Sequence, residues 1–401
     1  MTSYEEALKK VLDKTSPLGT EEVDLLRSLG RVLAEDAVAR EPIPPFRKAT
    51  MDGYAVRTED LKDASEDSPV VLEVIESLPA GRIAKETIKP KTAIRIMTGA
   101  PLPKGADAVV MVEDTKKKGK KVFFWKKPRV GENIGEAGED VRQGEVVIDK
   151  GELIGPAQMG MLASLGYSRV KVYKKPKVAI IATGDEIVEP SKKLSAGKIR
   201  NANGYSLFGL AVRSGAEAKY LGIARDKKSE LKKKINLAKG FDVLLISGGV
   251  SVGDYDLVKN QLQEFGVSPV FWQARIKPGK PIFFGEKKNQ LVFGLPGNPV
   301  SSMVTFYLFV RPALDKLQGK KQIGLRKGRA ILKQDLKLKP GRKQFLRAKL
   351  DESGVVRQVD IFPNQKSGVL KSMVKSDVLV VVPHHIETME RGEEVEILYL
   401  D

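Results

Sequence analysis

Between Lys177 and Phe309 the chain repeats one pattern: a short unbroken apolar run, a glycine-containing turn, then an amphipathic stretch of helical period. The runs near Val178, Ala218, Val243 and Leu291 predict buried strands. Gly204 to Ser214, Ser229 to Lys239, Leu257 to Phe265 and Val300 to Phe309 predict the helices that alternate with them. Such alternation implies a parallel sheet with crossover helices. In the second helix Leu231, Ile235 and Ala238 share one face, and Ser229 is placed to cap it.

The flanks read differently. Residues 3–36 predict two helices, the first with Leu8, Val11 and Leu12 on one face, the second with Val23, Leu25, Leu26, Leu29 and Val32. Pro42, Pro44 and Pro45 break that pattern and mark a domain boundary. Val70 to Ile75, Thr92 to Met97, Ala108 to Val112 and Val122 to Trp125 are strand-like, whereas Ile154 to Leu165 returns to helical period. A β-rich module is therefore inserted into a helical region. Beyond Gly319, Ala330 to Leu338, Gln344 to Leu350, Val355 to Phe362, Val378 to Pro383 and Glu394 to Leu400 predict five short strands of a small barrel or sandwich. The expected architecture is multidomain α/β plus β: a discontinuous helical domain over 1–41 and 137–170, an inserted β-rich domain over 42–136, an α/β domain over 171–318 and a C-terminal β domain over 319–401.

Three of the α/β turns carry candidate chemistry. Val178 to Thr183 leads into Gly184-Asp185-Glu186, Asp242 to Ser247 into Gly248-Gly249 and on to Ser251, Gly253, Asp254 and Asp256, and Leu291 to Leu295 into Pro296-Gly297-Asn298-Pro299. Backbone amides at such turns bind phosphates and oxyanions, and the last turn, followed by Ser301 and Ser302, suits that use. Acids at neighbouring strand ends hold Mg²⁺ through one or two carboxylates, leaving the other positions to water and phosphate. Together the turns point to an anionic ligand and a hard metal ion.

Composition narrows the chemistry. The 401 residues contain no cysteine, which removes disulfides, thiolate nucleophiles and sulfur-ligated metals. The two histidines, His384 and His385, are adjacent and point to opposite faces of a strand, which argues against a two-histidine metal site and a Ser-His-Asp hydrolase. Catalysis must then use carboxylates, lysines, backbone amides and a metal. A formal charge of +18 invites a nucleic-acid reading, but the lysines are scattered and aromatic content is only 6%, so a solvated surface is expected and no nucleic-acid partner. No apolar stretch reaches membrane-spanning length and the start lacks signal-peptide character, so no membrane association and a cytoplasmic location are expected.

Further turns carry polar residues. Ile276-Lys277-Pro278-Gly279-Lys280-Pro281 holds two lysines on a chain stiffened by prolines, which suits a phosphate or metal oxyanion. The β module contributes Met51-Asp52-Gly53-Tyr54-Ala55 after a proline-led stretch, Met97-Thr98-Gly99-Ala100, and, at its end, Gly138-Glu139-Asp140. Each alone is ordinary turn chemistry.

In this order, with Thr183-Gly184-Asp185-Glu186, Ser247 to Asp256, the Lys277 loop and Gly294 to Ser301, these motifs make the chain resemble the molybdopterin molybdenumtransferases, the MoeA and gephyrin E-domain family, over nearly its whole length. After Gly319 the likeness rests on Ser367-Gly368 and Ser372. The resemblance implies an elongated homodimer of four-domain subunits whose α/β domain binds adenylylated molybdopterin. The cleft is completed by the β module of the other subunit. Molybdate, or tungstate, enters the dithiolene and AMP leaves, with Mg²⁺ assisting. A transient contact with the molybdopterin adenylyltransferase is also implied.

By matching positions, Asp52, Thr98, Asp140, Glu186, Asp226, Asp256, Lys277, Pro296, Pro299 and Ser367 line the site. Glu186 and Asp256 are expected to hold Mg²⁺ or orient substrate, and Lys277 and Lys280 to hold molybdate or phosphate. Gly248, Gly249, Ser251, Gly253, Asp226, Gly297, Asn298 and Ser301 complete the expected substrate contacts, with Asp52 and Thr98 reaching across the dimer. Two departures stand out: Gln273 occupies a position that is basic in many relatives, and Arg47-Lys48 replaces an acidic or amide pair. The rival readings are molybdopterin adenylylation and a non-catalytic scaffold of the same fold.

Overall fold

The computed structural model describes residues 1–249 and 257–400. The chain opens with helix α1, Tyr4–Asp13, capped by Ser3, whose hydroxyl accepts from the Glu6 amide at 3.2 Å. Its buried face, Ala7 and Val11, joins the core of the α/β region together with Phe309 and Phe345. The second helix expected before residue 36 is not formed. Thr20–Asp24 is instead a strand paired antiparallel with Arg169–Tyr173, Val23 opposite Val170, and a short 3-10 turn at Leu25–Arg27 follows. Leu26 and Leu29, which complete the apparent helical stripe, are 88% and 57% exposed. A partner strand almost the length of a domain away overrides the local period. Helix α2, Pro156–Ser164, forms where expected.

The β module is a six-stranded sheet containing Gly53–Val56, Val70–Leu78, Thr92–Ile96, Ala108–Met111, Thr115–Lys118 and Lys121–Phe124. Gly53 is obligatory there: a Cβ would sit 2.0 Å from the Val110 carbonyl oxygen.

The α/β region is built on a second six-stranded sheet. Its strands run in the order Glu217–Ala224, Lys177–Thr183, Val243–Ser247, Gln290–Leu295, Phe283–Lys287, Ser268–Trp272. The first four are parallel as expected. The last two, which the apolar pattern did not reveal, are antiparallel and make the sheet mixed. Side chains alternate between its faces. Val178, Ile180 and Leu245 pack toward helices α3, Asn203–Arg213, and α6, Pro299–Thr305, whereas Ala179, Ile181 and Leu244 pack toward α4, Lys228–Leu237, and α5, Leu257–Glu264. Helix α4 starts one residue before Ser229, and Lys227 takes the cap position without a side-chain hydrogen bond, so Ser229 does not cap it.

A π-helical stretch, Phe306–Val310, continues α6 into α7, Arg311–Leu317. Asp315 of α7 is 1% exposed, accepting from the Arg311 guanidinium at 2.9 Å, Lys320 at 2.7 Å and the Gly324 amide at 3.0 Å. The linker to the last region is pinned by that carboxylate.

The C-terminal region is a closed five-stranded barrel of Lys327–Leu332, Lys343–Asp351, Gln358–Ile361, Val378–Val382 and Glu394–Tyr399. Closure comes from Val378–Val382 pairing with both Lys343–Asp351 and Glu394–Tyr399. A short helix, α8, Leu370–Val374, precedes the fourth strand and packs on α6. Ile276–Lys277 hydrogen-bonds alongside the start of Lys343–Asp351, which brings the lysine loop against the barrel.

Candidate active site: two adjoining clefts

The chain leaves Lys177–Thr183 for one neighbour, Glu217–Ala224, and then returns to the other side at Val243–Ser247. Such a switch opens a crevice at the carboxyl ends of the strands. A cleft of about 450 Å³ lies there, walled by Gly184, Gly248, Gly249 and the Pro296–Pro299 turn, with Glu186 and Asp226 on its rim. Gly248 has φ +94° and a Cβ on it would lie 2.6 Å from the Thr183 carbonyl oxygen, so the two strand ends approach this closely only through glycine. Asn203, at the start of α3, ties the floor together by donating to Ser247 Oγ and to the Gly297 carbonyl, both at 2.8 Å.

The acids here repel one another. The Asp226 amide donates to Asp185 Oδ1 at 3.2 Å, and burial, with the charges of Asp185 and Glu186 adding to it, raises the Asp226 carboxyl above its ordinary range. A divalent cation would relieve this crowding, although among the described residues no three acids or histidines gather to hold one. The donor set fits Mg²⁺: two carboxylates facing a cleft whose other wall is backbone leaves most of the coordination shell to water and substrate oxygens.

A second cleft, of about 1020 Å³, shares Pro281, Pro296 and Asn298 with the first. Lys277, Lys280, Arg342 and Lys366 line it, and among the described residues no carboxylate lines it and none of these cations forms an ion pair. Its far wall is the 363–368 segment of the barrel, whose Ser367 carbonyl accepts from the Val300 amide at 3.1 Å. That bond, with Pro299 lacking an N–H, uses part of the α6 terminus that the sequence offers to an oxyanion.

Glu186, Asp226, Gly248, Gly249, Pro296, Gly297, Asn298 and Pro299 thus meet in the first cleft, and Lys277, Lys280, Ser301 and Ser367 in the second. Ser251, Gly253, Asp254 and Asp256 lie outside the described residues. Asp52, Thr98 and Asp140 line neither cleft of their own chain. Asp52 and Thr98 do form a unit: the Thr98 amide and hydroxyl donate to Asp52 Oδ1 at 2.7 and 2.6 Å, and these bonds hold the exposed carboxyl below its ordinary range. Asp140 immediately precedes Val141, which bridges to Ile43, and its amide donates to the Ile43 carbonyl at 3.0 Å.

Sequence reasoning missed Asn203, Arg200, Arg342 and Lys366. A signal for Arg342 was present, because Lys339-Pro340-Gly341-Arg342 repeats the form of Lys277-Pro278-Gly279-Lys280.

Family models match the chain in three consecutive parts: the MoeA N-terminal region (domains I and II) over 2–166, a probable molybdopterin binding domain over 179–316, and the MoeA C-terminal region (domain IV) over 329–400. A molybdopterin molybdenumtransferase of Haemophilus influenzae is 37% identical over 99% of this chain and 98% of its own length. One of Bacillus subtilis is 34% identical over 99% and 93%. A crystal structure titled as a molybdopterin biosynthesis MoeA protein from Pyrococcus horikoshii superposes with a TM-score of 0.85 at 39% identity, all of both chains being covered. The chain belongs to the MoeA family.

Its two departures from the family pattern have local explanations. Arg47 pairs with Glu136 of its own module at 2.9 Å, and Lys48 pairs with Gly135 in a two-residue ladder. Gln273 adopts φ +87°, its amide donating to the Ile282 carbonyl at 2.8 Å, in the turn that carries the chain from Ser268–Trp272 toward the lysine loop.

Proposed function

We propose that this protein inserts the metal of molybdate, or of tungstate, into the dithiolene of adenylylated molybdopterin and releases AMP. The observation that carries the reading is the contiguity of two unlike clefts. One has backbone turns and two acids, the other has four cations that form no ion pair among the described residues, and they share Pro296 and Asn298. The phosphate-bearing substrate belongs in the first and the metal oxyanion in the second. Molybdenum takes soft sulfur ligands, and a chain without cysteine leaves the substrate dithiolene to supply them.

Each protein group then has a definite task. Gly248, Gly249 and the Pro296–Pro299 turn let substrate approach the backbone closely, and Lys277, Lys280, Arg342 and Lys366 gather and desolvate the oxyanion beside it. Glu186 and Asp226 would hold Mg²⁺, which when bound offsets charge on the phosphates. Asp52, kept ionised by Thr98, and Asp140 belong to the partner's cleft in a homodimer. Tyr205, Phe208 and Val212 on α3, 52%, 40% and 49% exposed, offer an apolar stripe beside the cleft for the second copy.

The deciding experiment is incubation of purified protein with adenylylated molybdopterin, Mg²⁺ and molybdate. AMP release that depends on molybdate is expected. Lys277→Ala/Lys280→Ala should raise the molybdate concentration needed by about 100-fold, two charge-assisted contacts each contributing about 1.4 kcal/mol. Absence of AMP under conditions where a family enzyme releases it, or consumption of ATP with free molybdopterin, would overturn the reading.

A further inference from the structure

Between the strand Lys177–Thr183 and helix α3 the chain makes an excursion, residues 184–200, which walls one side of the first cleft with Glu186, Ile187, Ile199 and Arg200. No residue of 185–200 is fully buried, so the core does not hold the excursion in place. Its two limbs are joined to each other: Ile187–Val188 lies parallel to Ile199–Arg200, Lys198 Nζ donates to the Asp185 carbonyl at 2.6 Å, and Arg200 Nε to the Pro190 carbonyl at 3.2 Å. Those bonds give it a shape but not a place.

Its place depends on two acids. At the base Asp185 Oδ1 accepts from the Asp226 amide at 3.2 Å. At the middle Glu189 accepts from two hydroxyls. Tyr220, on the edge strand Glu217–Ala224, donates to its Oε1 at 2.8 Å, and Tyr205, on α3, donates to its Oε2 at 3.1 Å. Among the described residues no other side-chain hydrogen bond joins 185–200 to the rest of the domain.

The proton directions follow one from another. The Gly204 amide donates to Asn201 Oδ1 at 2.9 Å, which turns Asn201 Nδ2 onto the Tyr220 oxygen at 2.6 Å. That hydroxyl, already accepting, has its single proton left for Glu189. Burial, then the bond to Glu189, pushes both phenols above their ordinary range, so each keeps the proton it donates. Gly204 is part of the device, because a Cβ there would lie 2.7 Å from both Asn201 Nδ2 and the Tyr220 ring. A carboxylate can gather hydroxyls from two elements at once because both its oxygens accept.

We infer that Glu189 is a positioning residue: by drawing Tyr205 and Tyr220 onto its two oxygens it holds the 184–200 excursion against α3 and the sheet edge, so that Glu186 and the wall it belongs to keep their places on the first cleft. This rests on the role of that cleft as the substrate site proposed above. Free molecules whose excursion swings away lack the wall, so apparent substrate affinity falls by the fraction they represent, whereas saturating substrate restores it.

The test uses the full chain carrying Glu189→Ala, which removes both acceptors, and Tyr220→Phe, which removes one hydroxyl and keeps the ring, alone and combined. Amide hydrogen exchange across 186–200 should rise by about tenfold in Glu189→Ala and by about threefold in Tyr220→Phe, with Val243–Ser247 and Gln290–Leu295 unchanged. The combined variant should exchange like Glu189→Ala alone, since the hydroxyl acts through the carboxylate. In the AMP-release assay the KM for adenylylated molybdopterin should rise by about fivefold in Glu189→Ala, with kcat within about twofold and the molybdate dependence unchanged. Unchanged exchange in 186–200, exchange raised equally across the sheet, fully additive effects in the combined variant, or a KM that does not move would each overturn the inference. Should the wild type release no AMP, the functional reading falls, and exchange in 186–200 with its non-additivity still decides the positioning role. If Glu189→Ala does not fold, locally raised exchange in Tyr220→Phe supports the inference and wild-type exchange there overturns it.

Discussion

One hydroxyl and one amide set the state of Asp52. Both come from Thr98, and the resulting bonds favour the carboxylate, so its proton is lost at a lower pH than for a free Asp. The sign follows: the bonds are present above the unfolded pKa, about 3.9, and are lost as pH falls through the depressed folded value. Thr98→Val removes the hydroxyl bond and leaves the amide bond. The Asp52 titration midpoint, read by carboxyl ¹³C NMR, should move up toward the free value without reaching it. An unchanged midpoint would show that the hydroxyl bond does not exist in solution. Asp226 is displaced the opposite way, mainly by burial. Two acids of one proposed site thus sit in environments that separate their proton affinities.

Among the elements, the linker between the α/β region and the barrel depends on one side chain. Asp315 takes bonds from Arg311, Lys320 and the Gly324 amide with almost no solvent contact. Asp315→Ala should therefore destabilise by about 3–5 kcal/mol in denaturant unfolding, because Arg311 and Lys320 lose their counter-charge in a largely dehydrated place. A loss below about 1 kcal/mol would mean that the pair is solvated like a surface salt bridge. The elements also show what was legible beforehand. Strands such as Val243–Ser247 were readable because both faces are buried, leaving an unbroken apolar run. Thr20–Asp24 was not, because its charged residues carry no apolar alternation and its identity as a strand comes from Arg169–Tyr173. The first cleft was legible because glycine is required at its turns. The second was only half legible, because Arg342 and Lys366 reach it through barrel closure, a long-range event with no local signature.

At the scale of the molecule, the net charge of +18 acquires a use when its distribution is considered. Most lysines lie scattered, whereas four cations converge in one cleft with no acid among the described residues that line it, where low dielectric and convergence focus the field on an anion. Asp52 and Thr98 line neither cleft of their own chain, and this gives the proposed homodimer a sharp test. If each site takes Glu186 from one subunit and Asp52 from the other, Asp52→Ala and Glu186→Ala are inactive alone, but mixed dimers place both lesions in one site and leave the other intact. Random mixing makes half the dimers mixed, so AMP release should recover to about a quarter of wild type, as two-fold symmetry requires. If both residues instead serve the cleft of their own chain, every subunit carries a lesion and no recovery occurs at any ratio. Titrating one variant against the other, with tagged subunits to count mixed dimers, decides between these arrangements without knowledge of the interface itself.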